Sequence, residues 1–324
     1  MHINIQVTKL WLRLARRASS ALLSTAMLML CTHGSKGAEI ICGTYARIDP
    51  DPSLLADFFP SGRLPVRNVS CSSLLLKGSI ERGDAEKLSS LLALHHPFTS
   101  KISLWSRGGS VEEAMKIGRV VRRELLITEA PDDWNGSGQG YGRLFAEALP
   151  NCRDNDDCLR FVCHGANCHC ASACFIVWAA GIRRDGSAIG LHRPSTQSTT
   201  FSSLPPERAS VLYRQLLADI RKYLSDMEIT TTIIDKMLAT LSAEIAWLAP
   251  EELDSAELVP SIEEWILASC GTFGRAQTDM LMALAEKKSQ SQQERSMLKQ
   301  LLNIKDQVSR CWFRKIYNAR DAAH

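Results

Sequence analysis

Residues 168–181 read CHCASACFIVWAAG. Three cysteines and one serine stand before an apolar run that ends in glycine. Such a stretch has three readings: a metal site, a disulfide staple, or a bend that presents a nucleophilic serine. Ala171–Ala180 is apolar on every side, which predicts a buried helix with Ser172 at its mouth. After a polar turn over Gly181–Gly186, Ser187–Leu191 reads as a strand. His192 lies at its end, just before Arg193-Pro194.

Upstream, Ser72–Ile80 predicts a buried strand ending in a turn. Glu81–Leu94 carries Ala85, Leu88, Leu91, Leu92 and Leu94 at helical spacing. Lys101–Trp105 reads as a short strand, broken by SRGGS. Ser110-Val111-Glu112-Glu113 fits a capping box, with Ser110 as N-cap and Glu113 reaching back. Gly108 and Gly109 therefore fall between a strand end and a helix N-terminus, where amides are unpaired and a ligand can approach closely. Downstream, Glu207–Met227 predicts a long amphipathic helix with Val211, Leu212, Leu216, Leu217, Ile220 and Leu224 as its stripe. Thr231–Leu241 predicts another.

In chain order, these elements supply what acyl transfer needs. A serine hydroxyl is a weak nucleophile until a base removes its proton. The oxyanion that forms must meet prearranged N–H groups. Ser172 is the candidate nucleophile and His192 the candidate base. The amides of Ala173 and of Gly108 or Gly109 are the candidate oxyanion donors.

Four segments carry a resemblance. SRGGSVEEAMKIGRVV resembles the strand–helix element of the Clp protease proteolytic subunit. CASACFIVWAAG resembles that family's nucleophile helix, IGLHRP its histidine strand, and WLAPEELDSAELV a segment near the end of its domain. They come in the family's order and span roughly Ser72–Pro260. The Cys-x-Ser-Ala-Cys form is most similar to exported, Clp-like bacterial proteins. The resemblance implies an α/β fold, the crotonase-like ββα spiral, with Ser172 as nucleophile, His192 as base, and Gly108, Gly109 and Ala173 lining the oxyanion hole. It implies a homo-oligomer and no cofactor. The family's acid falls at Ile245 here. Glu244, one residue away, is the candidate orienter of His192, and Asp235 a poorer one.

Residues 1–38 contain no Asp or Glu, and Lys9, Arg13, Arg16 and Arg17 precede an apolar stretch from Ala18 to Cys31. This is the layout of a secretory signal peptide, and the stretch is shorter than the roughly 20 residues of a membrane span. Cleavage after Gly34 would have Thr32 at −3; cleavage after Ala38 would have Lys36 there. Export to the periplasm follows, with membrane anchoring if the signal stays uncleaved. A compartment without ATP leaves no role for an ATPase partner, so the expected substrate is a short or unfolded peptide, or another acyl compound.

The chain carries a net charge of +3, which gives no basis for nucleic-acid binding. Eleven cysteines in an exported chain point to disulfides. Cys31 would leave with the signal. Cys152, Cys158, Cys163, Cys168, Cys170, Cys174, Cys270 and Cys311 are the disulfide candidates, with their pairing open. Zinc at Cys163, Cys168 and Cys170 with His164 and His169 is the weaker reading, because the paired short spacings of zinc sites are missing. The expected organisation is a signal peptide over 1–38, an irregular segment over 39–70, a Clp/crotonase-like domain over 71–260 with a Cys-rich insertion at about 127–167, and a helical extension over 261–324, in which a Cys270–Cys311 bridge would close a hairpin. The alternative to an enzyme is a crotonase-fold protein that has lost catalysis and serves binding or assembly in the envelope.

Overall fold

Leu74, Leu75 and Leu76 are consecutive and all fully buried, because the strand that carries them is covered on both faces. Leu74 and Leu76 join the main core. Leu75 points the other way, to Trp105, Ile41 and Cys163. The computed structural model describes residues 37–47, 69–95, 98–133, 141–143, 162–165, 168–195, 201, 203–253, 258–287 and 289–321. The chain divides into two units, Met1–Lys36 and Gly37–His324. The first, with its predicted signal, lies outside the described residues.

The architecture is mixed α/β. One sheet has the order β1 (Glu39–Arg47), β2 (Val69–Lys77), β3 (Lys101–Trp105), β4 (Ile127–Glu129) and β8 (Arg184–Asp185). β1 runs antiparallel to β2, and the remaining pairs are parallel. Helix α1 (Asp84–His95) follows β2, and α2 (Val111–Arg123) follows β3. A second sheet has the order β10 (Ala246–Trp247), β9 (Ile189–Leu191), β7 (Cys170–Ala171). β5 (Tyr141–Arg143) and β6 (Val162–His164) pair antiparallel as a separate two-stranded sheet, with Cys163 packed against Leu75 and Trp105 of the first. The buried helix α3 (Ala173–Trp178) packs in the main core with α2, α4 (Pro206–Asp226) and α5 (Thr231–Ala239). Then come α6 (Pro250–Leu253), α7 (Ser261–Cys270), α8 (Arg275–Ala285) and α9 (Gln292–Asp321).

Several expectations are corrected. Residues 39–47 form strand β1 rather than irregular chain; its composition hid it, since register shifts around Cys42–Tyr45 break the alternation. The insertion does not begin at 127, because Ile127–Glu129 pairs with β3 inside the parallel sheet. The turn before β9 contains β8, which extends that sheet. Leu94 is exposed, so the buried face of α1 is Ala85, Leu88 and Leu92. The stripe of α4 is buried only at its C-terminal end, at Ile220 and Leu224, while Val211 is 55% exposed. The extension is three helices rather than a hairpin. The Cys270–Cys311 bridge ties the end of α7 to the middle of α9.

The capping box is half made. Ser110 Oγ accepts from the Glu113 amide, but the Glu113 carboxylate accepts from the amides of Gly83 and Ala85 and so caps α1 instead. Burial acts to raise the pKa of Glu113. The amides and Lys116 outweigh it and hold the group below the ordinary glutamate range.

The disulfides among the described residues are Cys42–Cys71, Cys163–Cys168, Cys170–Cys174 and Cys270–Cys311. Cys152 and Cys158 lie outside them. Four such bridges indicate an oxidising environment. No helix among the described residues is long and apolar enough to cross a membrane.

Candidate active site

Strand β7 is two residues long and is held from both sides. The Ser106 amide donates to His169 O, and the Ala171 amide donates back to Ser106 O, both at 3.0 Å. On the other flank, the Cys170 amide donates to Ala188 O at 2.9 Å and the Ser172 amide to Gly190 O at 3.0 Å. The end of β3 and strand β9 therefore grip the chain up to Ser172.

There the backbone must pass from strand to helix at once. Ser172 takes φ 60° and ψ −125°, a region that side-chain-bearing residues rarely adopt. Its hydroxyl forms no cap with α3, and the residue is half-buried. Ala173 opens the helix, so its amide has no intrahelical acceptor.

The Gly-Gly turn lies against this bend. Gly108 has φ 102° and Gly109 φ 142°. A Cβ on Gly108 would come 2.7 Å from Ser172 Cβ and 2.9 Å from Ala173 N. Only glycine fits there. The two amides differ: that of Gly108 donates to Ser106 Oγ at 3.1 Å, whereas that of Gly109 has no hydrogen-bond partner among the described residues. The Gly108–Gly109 turn at the end of β3 thus lies against Ser172 and the start of α3 at the end of β7, with Gly108 making the close approach.

His192 follows β9, which pairs in parallel with β7 through Ala171–Gly190. Ser172 and His192 therefore leave the carboxyl ends of neighbouring parallel strands. The Nδ1 of His192 donates to the Arg193 carbonyl at 2.8 Å. A carbonyl only accepts, so that bond places a proton on Nδ1, and in the neutral ring Nε2 is then the acceptor. The Arg193 amide is itself held by Thr240 O at 3.1 Å, at the end of α5.

Glu244 is exposed in the turn before β10. Among the described residues no carboxylate hydrogen-bonds His192. β10 pairs antiparallel with β9, Ala246 opposite Leu191, and the same register continued brings Ile245 opposite His192. Asp235 pairs instead with Arg221 at 2.6 Å. Lys236 secures this edge: it binds the Glu252 carboxylate at 2.7 Å and Trp247 O at 3.2 Å. Burial acts to raise the pKa of Glu252. Lys236 and the Ala249 amide override it, so Glu252 stays ionised below the usual range.

Sequence reasoning missed two features. One is the pairing of two of the disulfide candidates, Cys170 with Cys174, which places a bridge across Ser172. The other is the Arg193 carbonyl, which no side-chain pattern could signal. Cys163, Cys168 and Cys170 are all in disulfides, and no group among the described residues is placed to hold a metal ion. Neither protein-family models nor curated proteins gave a match to this chain.

Proposed function

We propose that this chain is an exported, ATP-independent serine hydrolase of the Clp-like, crotonase-fold type, acting on peptides or other acyl substrates. The observation that carries the reading is the strained backbone of Ser172, whose hydroxyl has no hydrogen-bond partner among the described residues and which lies against the Gly108–Gly109 turn, one residue before the free amide of Ala173 that opens α3. A fold does not hold a side-chain-bearing residue at φ 60° without compensation, and such strain concentrates at functional sites. The two sheets joined at Ser106, with a helix after each of β2 and β3, support the spiral fold.

In this mechanism His192 Nε2 takes the proton of Ser172 Oγ as the oxygen attacks the acyl carbon. The oxyanion is met by the amides of Gly109 and Ala173. As the tetrahedral species collapses, His192 passes the proton to the leaving group. It then draws a proton from the water that frees the acyl group. The Arg193 carbonyl fixes the imidazole tautomer, the task an acid performs in a triad. Glu244 reaches the ring only if the turn before β10 rearranges. A second copy of the chain completes the assembly that the family resemblance implies.

One observation favours the non-catalytic alternative, binding or assembly in the envelope: an apolar Ile245 stands in register with His192. Fluorophosphonate labelling of the oxidised mature protein decides between the two. An active serine labels, and labelling disappears in Ser172→Ala and His192→Ala. A folded wild type that does not label favours the binding role.

A further inference from the structure

Helix α9 rests on two separate cores. Trp312 and Ile316 pack with Ile182 and Ile266. Leu298 and Leu301 pack with Leu281 and Leu284 of α8 and with Phe273. Between the two cores every residue from 302 to 307 is exposed, more than a full helical turn without a packing face. α8 and the first half of α9 thus form a helical hairpin with a small core of its own.

The hairpin exposes apolar side chains. Met280, Met282, Met297, Leu302 and Ile304 are all exposed, Met282 at 52% and Leu302 at 50%. Met280 and Met282 are two residues apart on one helix, as Leu302 and Ile304 are on the other. Two residues turn a helix by about 200°, so each pair points to opposite sides. One docked protein face would cover one side and leave the other in water.

Charge separates along the chain at the same place. Residues 275–321 hold ten basic and five acidic side chains, whereas 39–274 hold 23 basic and 30 acidic ones. Within the hairpin and its continuation, Glu294 pairs with Lys287 and Asp306 with Arg310. Arg295, Lys299 and Lys305 are exposed, form no ion pair among the described residues, and interleave with Met297, Leu302 and Ile304. Such a surface suits the interfacial zone of an anionic bilayer. Cationic heads meet lipid phosphates there, while apolar side chains enter the headgroup–acyl boundary from any side. No helix among the described residues is long and apolar enough to cross a bilayer, so the contact is with its surface.

We propose that the α8–α9 hairpin docks the protein on anionic lipid surfaces, with Arg295, Lys299 and Lys305 on the phosphates and the exposed Met, Leu and Ile side chains below them. The acidic remainder of the chain is repelled by the same surface, which leaves the hairpin as the point of contact. This role is independent of acyl transfer at Ser172.

The test is co-sedimentation of the oxidised mature protein, freed of its apolar leader, with two kinds of vesicle: phosphatidylcholine alone, and equal parts phosphatidylcholine and phosphatidylglycerol. Binding to the anionic vesicles is expected, and high salt is expected to weaken it. Arg295→Glu/Lys299→Glu/Lys305→Glu and Leu302→Gln/Ile304→Gln alter exposed side chains only and leave the leucine core of the hairpin intact. Each is expected to melt like the wild type and to lower the bound fraction about tenfold or more. A folded wild type that ignores anionic vesicles overturns the proposal, as does equal binding to both kinds. Self-association that the same variants dissolve, without vesicle binding, also overturns it and assigns the hairpin to a second copy of the chain.

Discussion

Cys170 and Cys174 are joined across Ser172, with their Cα atoms 5.2 Å apart and both residues fully buried. One cysteine lies in the strand that feeds the bend and the other in the first turn of the helix that leaves it. The bridge therefore closes a small loop around the strained residue. Losing it also loosens the unfolded-state constraint of a short loop, about 2 kcal/mol. The double variant Cys170→Ala/Cys174→Ala is expected to fold but to label with fluorophosphonate at least tenfold more slowly. The Cys270→Ala/Cys311→Ala control, far along the chain in α7 and α9, is expected to lose stability and keep its labelling rate. Equal rates in the bracket variant and the wild type would show that the bridge does not position Ser172.

Gly108 and Gly109 fail differently when a methyl is added. In Gly108→Ala the new carbon presses on Ser172 Cβ and Ala173 N, the site itself. In Gly109→Ala it overlaps the Ile80 carbonyl, which belongs to the link between β2 and α1. Thermal melts with labelling are expected to separate the two. Gly108→Ala loses labelling as well as stability, because a φ of 102° strains an alanine and the methyl also meets Ala171 O at 2.9 Å. Gly109→Ala loses stability first, since a φ of 142° adds strain to the overlap.

Much of this site was legible because its signals are local. The apolar run and following glycines give Lys101–Trp105 its observed bounds, and unbroken apolarity marks α3 as buried, though the helix spans Ala173–Trp178 rather than Ala171–Ala180. What was not legible was decided by partners distant in sequence. Glu113 looked like the back-half of its own helix cap, yet it caps α1, thirty residues upstream. Strand β1 is specified by pairing with β2 rather than by alternation. The sequence points to a carboxylate partner for His192, whereas its Nδ1 bonds the Arg193 main-chain carbonyl, which composition cannot reveal.

Glu263, at the start of α7, makes stability depend on pH. Burial is the main cause that raises its pKa, to about 7, with Asp185 adding and Arg183 and Arg184 opposing. The folded state therefore disfavours the ionised form. Its contribution is fully present below the ordinary glutamate value and is lost as pH rises through about 7. Urea melts at pH 5 and pH 8 are expected to show a lower midpoint at pH 8. Glu263→Gln is expected to remove most of that difference, which is at most about 3 kcal/mol before solvent screening. An unchanged slope in Glu263→Gln would assign the pH effect to another group.

Gly118, in the middle of α2, is a glycine where alanine is expected to harm. Elsewhere in a helix the exchange gains up to about 1 kcal/mol. Here the added methyl would overlap the hydroxyl of Tyr223 and come 3.2 Å from Ala180 Cβ. Tyr223 is buried and donates to Ile176 O at 3.0 Å, locking α4 to the helix behind Ser172. Gly118→Ala is expected to destabilise by about 1–3 kcal/mol, the usual cost of overpacking. In Tyr223→Phe the hydroxyl is gone, so the added alanine costs less than in the wild-type background. Additive losses in the double-mutant cycle would show that the two positions do not meet.

Ile245 offers the sharpest test of how His192 is held. The register of β10 on β9 brings it opposite the histidine, and its Cγ2 approaches the Cβ position of Gly190 to 2.7 Å. It is also 45% exposed, so a carboxylate placed there keeps its solvation. Ile245→Asp is expected to compete with the Arg193 carbonyl for Nδ1, stabilise the imidazolium that forms in acyl transfer, and raise the labelling rate about tenfold or more. Glu244→Ala is expected to change little, because the Glu244 side chain is exposed and makes no bond to the ring. If Glu244→Ala abolishes labelling, the turn before β10 rearranges and Glu244 is the orienter. If Ile245→Asp is inert while the wild type labels, the main-chain carbonyl already holds the ring as well as an acid would, and the site works as a dyad.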